Sequence, residues 1–110
     1  LGARAIVAGF NAEEARTFPD NSEAFVRRAN AYLEFATRAR PRIESPTIGM
    51  TKREIVRAAR RLALPLAWCW PCYEGGEQWC GQCESCVRFA RAIEEEELAP
   101  SRTDALTHWG

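Results

Sequence analysis

A chain of 110 residues with 46% apolar and 27% charged residues has a globular composition and room for one domain, which excludes a disordered segment. Fifteen Lys and Arg balance fifteen Asp and Glu, so the basic excess of a polyanion-binding face is missing and direct nucleic-acid binding is not expected. No apolar run approaches the roughly 18 residues that span a bilayer, and the opening LGARAIVAGF lacks the apolar core and cleavage pattern of a signal peptide. No membrane partner is expected, and the location expected is cytoplasmic.

Residues 4–8 (RAIVA), closed by Gly9, predict a short buried strand. Residues 10–19 have no sustained period and read as a loop. Asp20 or Ser22 can cap the helix that follows, with Glu23 three residues after Asp20 as in a capping box. Phe25, Ala29, Tyr32, Leu33 and Ala36 then recur at helical spacing to about Thr37. Pro41 bounds that helix, and residues 42–45 read as a second strand stopped by Pro46. Thr51 with Glu54 three residues on marks the next helix, with Ile55, Val56, Ala59 and Leu62 as its apolar positions. Lys52, Arg53, Arg57, Arg60 and Arg61 occupy the other face, as a solvated row or as a phosphate contact.

Residues 64–68 (LPLAW) predict a third strand leading into a cysteine-rich segment. A last helix is expected over about 84–98, with Val87, Phe89, Ala90 and Ile93 as its apolar side and the acidic run 94–97 as a solvated face. The tail from Pro100, with the lone histidine His108, is expected to fray. The order β-α-β-α-β, cysteine loop, helix makes an α/β fragment divided at 1–68, 69–98 and 99–110. Three short strands form a thin sheet, so further strands are expected from another chain or segment, with helix-rich independent folding as the alternative.

All five cysteines lie between Cys69 and Cys86. A secreted disulfide scaffold spreads its cysteines, usually in even number, so the cluster points to a metal or redox site instead. Cys72, Cys80, Cys83 and Cys86 have the spacing C-x7-C-x2-C-x2-C, which suits a structural zinc held by four thiolates. Each C-x2-C step aims two sulfurs at one ion, Gly81 permits the tight turn, and Gly75-Gly76 lets the longer loop fold back. A second ligand set, Cys69, Cys72, Cys80 and Cys83, has the paired ribbon spacing. Cys69-Trp70-Pro71-Cys72 is also a CxxC of redox type, although that leaves three thiols without a role. Outside the metal set, Cys69 reads as a small buried apolar residue. Trp68, Trp70 and Trp79 are expected to pack around the metal loop, with purine stacking as the alternative.

These residues carry a resemblance. Trp70-Pro71-Cys72-Tyr73 followed by Cys80-Gly81-Gln82-Cys83-Glu84-Ser85-Cys86 resembles the zinc loop of the 7-cyano-7-deazaguanine synthase (QueC/ExsB) family. Upstream, Gly9-Phe10-Asn11-Ala12 and Phe18-Pro19-Asp20 resemble its G-x-N and Y-P-D segments. Ser45-Pro46 with Met50-Thr51-Lys52-Arg53-Glu54-Ile55-Val56 resembles its P…T-K-x-E-I-V segment. The order holds over about residues 6–97. The fold implied is a Rossmann-like PP-loop nucleotide-binding domain, here in its C-terminal half (1–68), followed by a zinc-binding loop and helix (69–98). The activity implied is a ligase of queuosine biosynthesis that converts 7-carboxy-7-deazaguanine and ammonia to the 7-nitrile with ATP. Such enzymes are commonly homodimers. By the same resemblance Cys72, Cys80, Cys83 and Cys86 hold zinc, Asn11, Asp20 and Lys52 fall in the substrate and nucleotide pocket, and no catalytic residue is assigned.

The residues depart from the family pattern in several places. The 110 residues contain no S-G-G-x-D-S phosphate loop. Y-P-D-C-R becomes Phe18-Pro19-Asp20-Asn21-Ser22, the aspartate ahead of it becomes Glu14, and T-W-S-C-Y becomes Cys69-Trp70-Pro71-Cys72-Tyr73. The Arg of C-x-x-R stands one residue early, at Arg88, which on a helix turns it by about 100°. Each pocket candidate also has a plain structural role: Asn11 as a turn residue, Asp20 as a cap, Lys52 as an exposed lysine, and Glu13-Glu14 as a solvated acidic pair. Two functions of different class therefore stand side by side: the ligase, and a non-catalytic zinc-binding interaction module derived from one.

Overall fold

The computed structural model describes residues 2–98. The tail expected from Pro100, with His108, lies outside the described residues. The chain forms two compact units, Leu1–Thr51 and Lys52–Gly110.

In the first unit, β1 (Ala5–Val7) pairs in parallel with β2 (Arg42–Glu44) in the register Ala5 with Arg42, Ile6 with Ile43 and Val7 with Glu44. The Arg42 N–H donates to the Arg4 carbonyl at 3.0 Å and the Ala8 N–H to the Glu44 carbonyl at 2.9 Å, extending the ladder by one bond at each end. Parallel strands need a crossover, and α1 (Glu23–Ala36) supplies it. Ser22, not Asp20, caps α1: its hydroxyl accepts from the Phe25 N–H at 3.1 Å and donates to the Pro19 carbonyl at 2.6 Å. The Asp20–Glu23 capping box is therefore not formed, because Asp20 lies in a separate 3-10 turn, Pro19–Asn21. Another 3-10 turn, Glu14–Arg16, organises the expected loop.

Asn30 fastens α1 to the sheet. Its Nδ2 donates to the Ile43 carbonyl at 3.1 Å and its Oδ1 accepts from the Ile43 N–H at 2.7 Å. In a parallel ladder alternate residues face alternate edges, so Ile43 faces away from β1 and finds a side-chain amide where another strand would lie. Among the described residues of this unit the two that are buried, Asn11 and Asn30, are polar. The strand at 5–7 is not buried as expected: Ile6 is 45% and Val7 72% exposed.

In the second unit, α2 (Lys52–Arg61) packs on α3 (Glu84–Leu98). Val56, Phe89 and Ala92 form the core, with Leu66 and Ile93 against it. The buried stripe on α3 runs Cys86, Phe89, Ala92, Glu96, whereas Val87, assigned from sequence to the apolar side, is half exposed. Glu94, Glu95 and Glu97 are exposed as expected of a solvated acidic face, and Glu96 alone departs from it. Its carboxylate receives Arg57 Nε at 3.0 Å and Arg53 Nε at 3.3 Å, and its carbonyl receives Arg60 Nη1 at 3.0 Å. Burial pushes the Glu96 carboxyl up, but the hydrogen bonds and charges of Arg57 and Arg53 outweigh it and hold the pKa below the usual range. The hydrogen bond to Glu96, then its charge, raises Arg57 in return. Three of the cations on α2 thus serve the helix pair rather than form an open row.

The third strand expected at 64–68 is not formed. After α2 the Leu64 N–H returns to the Ala59 carbonyl and the Ala63 N–H to the Arg60 carbonyl, both at 2.9 Å. Ala63 takes the left-handed conformation at φ 53°, the arrangement of a helix C-terminal Schellman turn. Pro65 has no N–H to give a ladder, and Leu66–Trp68 closes into a 3-10 turn.

Candidate functional site

The segment after that turn wraps its cysteines together. Gly75 and Gly76 take φ values of 67° and 129°, and Gly81 takes 69°, conformations open to glycine and strained for other residues. The first two reverse the loop so that Cys72 returns to the later cysteines. The third makes Cys80-Gly81-Gln82-Cys83 a tight knuckle. The sulfurs of Cys72, Cys80, Cys83 and Cys86 lie within 4.8 Å of one another, while Cys69 is exposed and apart from them. The structure therefore selects the C-x7-C-x2-C-x2-C set over the set containing Cys69. Cys69 is not the buried apolar residue expected, because it caps an exposed 3-10 turn. Of the tryptophans, Trp79 packs edge-on against Phe89 with ring centroids 5.4 Å apart, whereas Trp68 is 85% exposed and Trp70 half exposed.

Backbone N–H groups point at the sulfurs. Cys80 N–H donates to Cys72 Sγ at 3.4 Å, and Cys83 and Gln82 N–H donate to Cys80 Sγ at 3.2 and 3.4 Å. Donors of this kind favour thiolate over thiol. Tyr73 and Cys86 N–H groups bring Cys83 down to about 6, and Cys80 and Glu74 N–H groups lower Cys72. Burial pushes the Cys86 thiol up to about 12. The donor set fits zinc: four sulfurs at about 2.3 Å from one ion stand about 3.8 Å apart in a tetrahedron, a small contraction of the spacing found here. Four sulfur ligands leave no position for water, so the ion would supply cohesion to the loop and no reaction chemistry.

Another constellation lies at the carboxyl end of the two strands, where open α/β sheets bind ligands. Thr47 Oγ1 donates to the Phe10 carbonyl at 2.6 Å and Ala12 N–H to the Met50 carbonyl at 2.9 Å, tying the segments after β1 and β2 together. Asn11, 1% exposed, turns inward and accepts the Glu14 N–H at 3.0 Å on Oδ1. The exposed carboxylate of Asp20 accepts from Asn21 Nδ2 at 3.2 Å. Lys52 is the first residue of α2, in the second unit. Ser45, at the end of β2, keeps a buried hydroxyl without a hydrogen-bond partner. The sequence placed Ser45 in a motif without a role, and only the folded arrangement shows its hydroxyl shut away from water. Arg88 is paired with Glu84 one turn earlier on α3.

The family described as queuosine biosynthesis protein QueC matches residues 1–97. A 7-cyano-7-deazaguanine synthase of Bdellovibrio bacteriovorus is 48% identical over 93 residues, covering 84% of this chain and 40% of that protein. The synthase of Methanothermobacter thermautotrophicus is 48% identical over 94 residues, covering 86% and 42%. That of Pelotomaculum thermopropionicum is 48% identical over 93, covering 84% and 42%. The chain spans about two fifths of the length of these relatives. A match over nearly all described residues, including all four clustered cysteines, shows that the chain belongs to the queuosine biosynthesis protein QueC family.

Proposed function

We propose that this chain is the zinc-bearing C-terminal half of a 7-cyano-7-deazaguanine synthase, acting in the cytoplasm. What carries the proposal is the family match over residues 1–97. Its relatives are named for the nitrile product, and the resemblance supplies the reaction: ATP activates the 7-carboxylate, ammonia displaces the adenylate to give an amide, and a second activation permits loss of water. In such a reaction the protein positions the reactants and stabilises developing phosphate charge. Residues 1–68 would belong to a PP-loop fold, with residues 69–98 as its metal-bound appendage. By the family resemblance Asn11, Asp20 and Lys52 would contact substrate or nucleotide. The 110 residues contain no S-G-G-x-D-S loop, so the grip on the ATP phosphates would come from a further segment, with a homodimer as the working form.

The departures from the family pattern at Glu14, Asn21, Ser22 and Pro71 also support a second reading, a non-catalytic zinc module that binds a partner protein. The deciding experiment joins the chain to the part of a relative that it does not match and assays ATP-dependent nitrile formation. Turnover that falls on Lys52→Ala supports the ligase. A folded, zinc-loaded product that neither binds ATP nor turns over overturns it in favour of the module.

A further inference from the structure

We infer that the amino end of the sheet, opposite the carboxyl end described above, is a binding surface for single-stranded nucleic acid. Arg4, Arg38, Arg40 and Arg42 take its phosphates, and Tyr32 and Phe35 take its bases. The inference does not depend on the ligase reading. The balance of fifteen cations and fifteen acids is an average over the chain, and folding distributes it unevenly.

Folding brings the four arginines to one end. The Arg42 N–H donates to the Arg4 carbonyl at 3.0 Å, which sets the starts of β1 and β2 side by side. Thr37 closes α1 ahead of β2: its hydroxyl donates to the Leu33 carbonyl at 2.7 Å and accepts the Arg40 N–H at 3.1 Å. Arg38, Arg40 and Arg42 then alternate along the link from α1 into β2. All four arginines are exposed. Among the described residues none of them makes a side-chain hydrogen bond or an ion pair, and neither do Glu34 and Glu44, the acids that flank the link. The carboxyl end of the α1 dipole is equivalent to about half a charge, so it offsets only a fraction of one cation. Arg40 also takes the left-handed conformation, at φ 49°, where glycine would sit without strain. Stability alone does not select an arginine there.

Exposed rings lie at the same end. A helix that crosses between parallel strands runs back along them, so the last turn of α1 reaches the start of β2. That turn carries Phe35, 88% exposed, with Tyr32, 71% exposed, one turn before it. Guanidinium forks match phosphate oxygens, and aromatic rings stack on bases that no complementary strand covers. On an open surface a lone small anion is held weakly against solvent. A polyanion that touches four cations gains by releasing several counterions at once. An acidic peptide would engage the arginines and leave the rings idle.

The test is fluorescence polarisation of labelled oligouridylate and oligothymidylate with the whole chain, zinc included, over a range of salt. Binding should weaken with salt, with a slope of log K against log salt of about −3 for four phosphate contacts on a single strand. Arg38→Gln and Arg42→Gln should each reduce that slope by about 0.7. Phe35→Ala and Tyr32→Ala should each weaken binding by about fivefold or more and leave the slope as it is. Arg40→Gly separates binding from folding: it should raise the melting temperature by relieving the left-handed turn, and still reduce the slope. Arg61→Gln, at an exposed arginine of the second unit, should leave binding unchanged. If a variant does not fold, the slope of the unaltered chain still decides. Absence of salt-dependent binding, or a loss on Arg61→Gln equal to that on Arg38→Gln, overturns the surface. A duplex bound as tightly as the single strand and indifferent to Phe35→Ala overturns the assignment to single strands. Oligoglutamate bound as tightly as oligouridylate makes an acidic peptide the occupant and overturns the proposal. Of the supporting outcomes, preference for oligouridylate assigns RNA, and preference for oligothymidylate assigns DNA.

Discussion

The two units of the chain solve the problem of small size in opposite ways. The second has an apolar centre in Val56, Phe89 and Ala92, a buried carboxylate held by arginines, and four thiols drawn around one point. The first has two short strands, a helix, and buried asparagines where apolar side chains belong. In small domains a metal commonly replaces missing hydrophobic area, and the second unit has four thiols placed to hold one. Among its described residues the first has neither a buried apolar cluster nor a group of thiols.

The sharpest way to break the contrast is to remove the metal. Elemental analysis should give about one zinc per chain, and Cys83→Ser or a strong chelator should cost the second unit several kcal/mol, on the order of what structural zinc contributes elsewhere. Loss of near-ultraviolet signal from Trp79 would report it, while the Ala5 and Val7 resonances should stay put. Retention of the Trp79 signal in the chelated chain would falsify the assignment of the metal as the organiser. Zinc affinity of the metal-free chain should fall as the pH is lowered, because protons compete for the thiolates, and fall more steeply below about 6, where Cys83 too regains its proton. A chromophoric indicator titration checks this.

Next in size is a paired truncation. Phe89→Ala should destabilise by about 3 kcal/mol by opening a cavity, whereas Phe35→Ala, at a ring 88% exposed, should change stability by less than about 0.5 kcal/mol. Urea melts of both variants compare the units directly, and equal losses would erase the distinction.

A smaller effect comes from acid. With its folded pKa held below the ordinary carboxylate value, Glu96 stabilises the folded state above that value and loses its contribution as the pH falls through the depressed one. Glu96→Gln should cost about 1 kcal/mol near neutrality, modest because Arg53 and Arg57 stay about 40% exposed. It should also flatten the acid limb of a stability profile; a limb of unchanged slope would assign the acid sensitivity to other groups. The smallest effect is a gain: Ala63→Gly relieves the left-handed turn after α2 and should stabilise by about 0.5 kcal/mol, read as a raised melting temperature.

Local features were legible in the sequence, and distant ones were not. Helical spacing placed α1, α2 and α3 within a residue or two of their observed ends, because the period of an amphipathic helix is written in adjacent turns. The four metal-site cysteines were legible for the same reason, since two glycines and two C-x2-C steps close the loop within fifteen residues. Asn30 and Glu96 were missed because their partners lie 13 residues and about 40 residues away. The residues 64–68 look like a strand by apolar content, but the helix ahead ends in a turn that uses the Leu64 N–H, and Pro65 has none. Cys69 was misplaced because a small residue in an exposed turn and one in a core read alike. Asn11, Asp20 and Lys52 stood out only as matches to family motifs, and the partners of Asn11 and Asp20 became visible only in the folded loops.

The amide of Asn30 also sets a limit on growth. A sheet with two live edges can add copies of itself without end, which is how edge strands seed fibres. With Asn30 on the outward N–H and carbonyl of Ile43, β2 offers a neighbouring copy no ladder, and among the described residues only the β1 edge stays open to pairing. The asparagine that fastens a helix to a strand is therefore a chain terminator for the sheet, keeping an exposed and incompletely covered layer from polymerising.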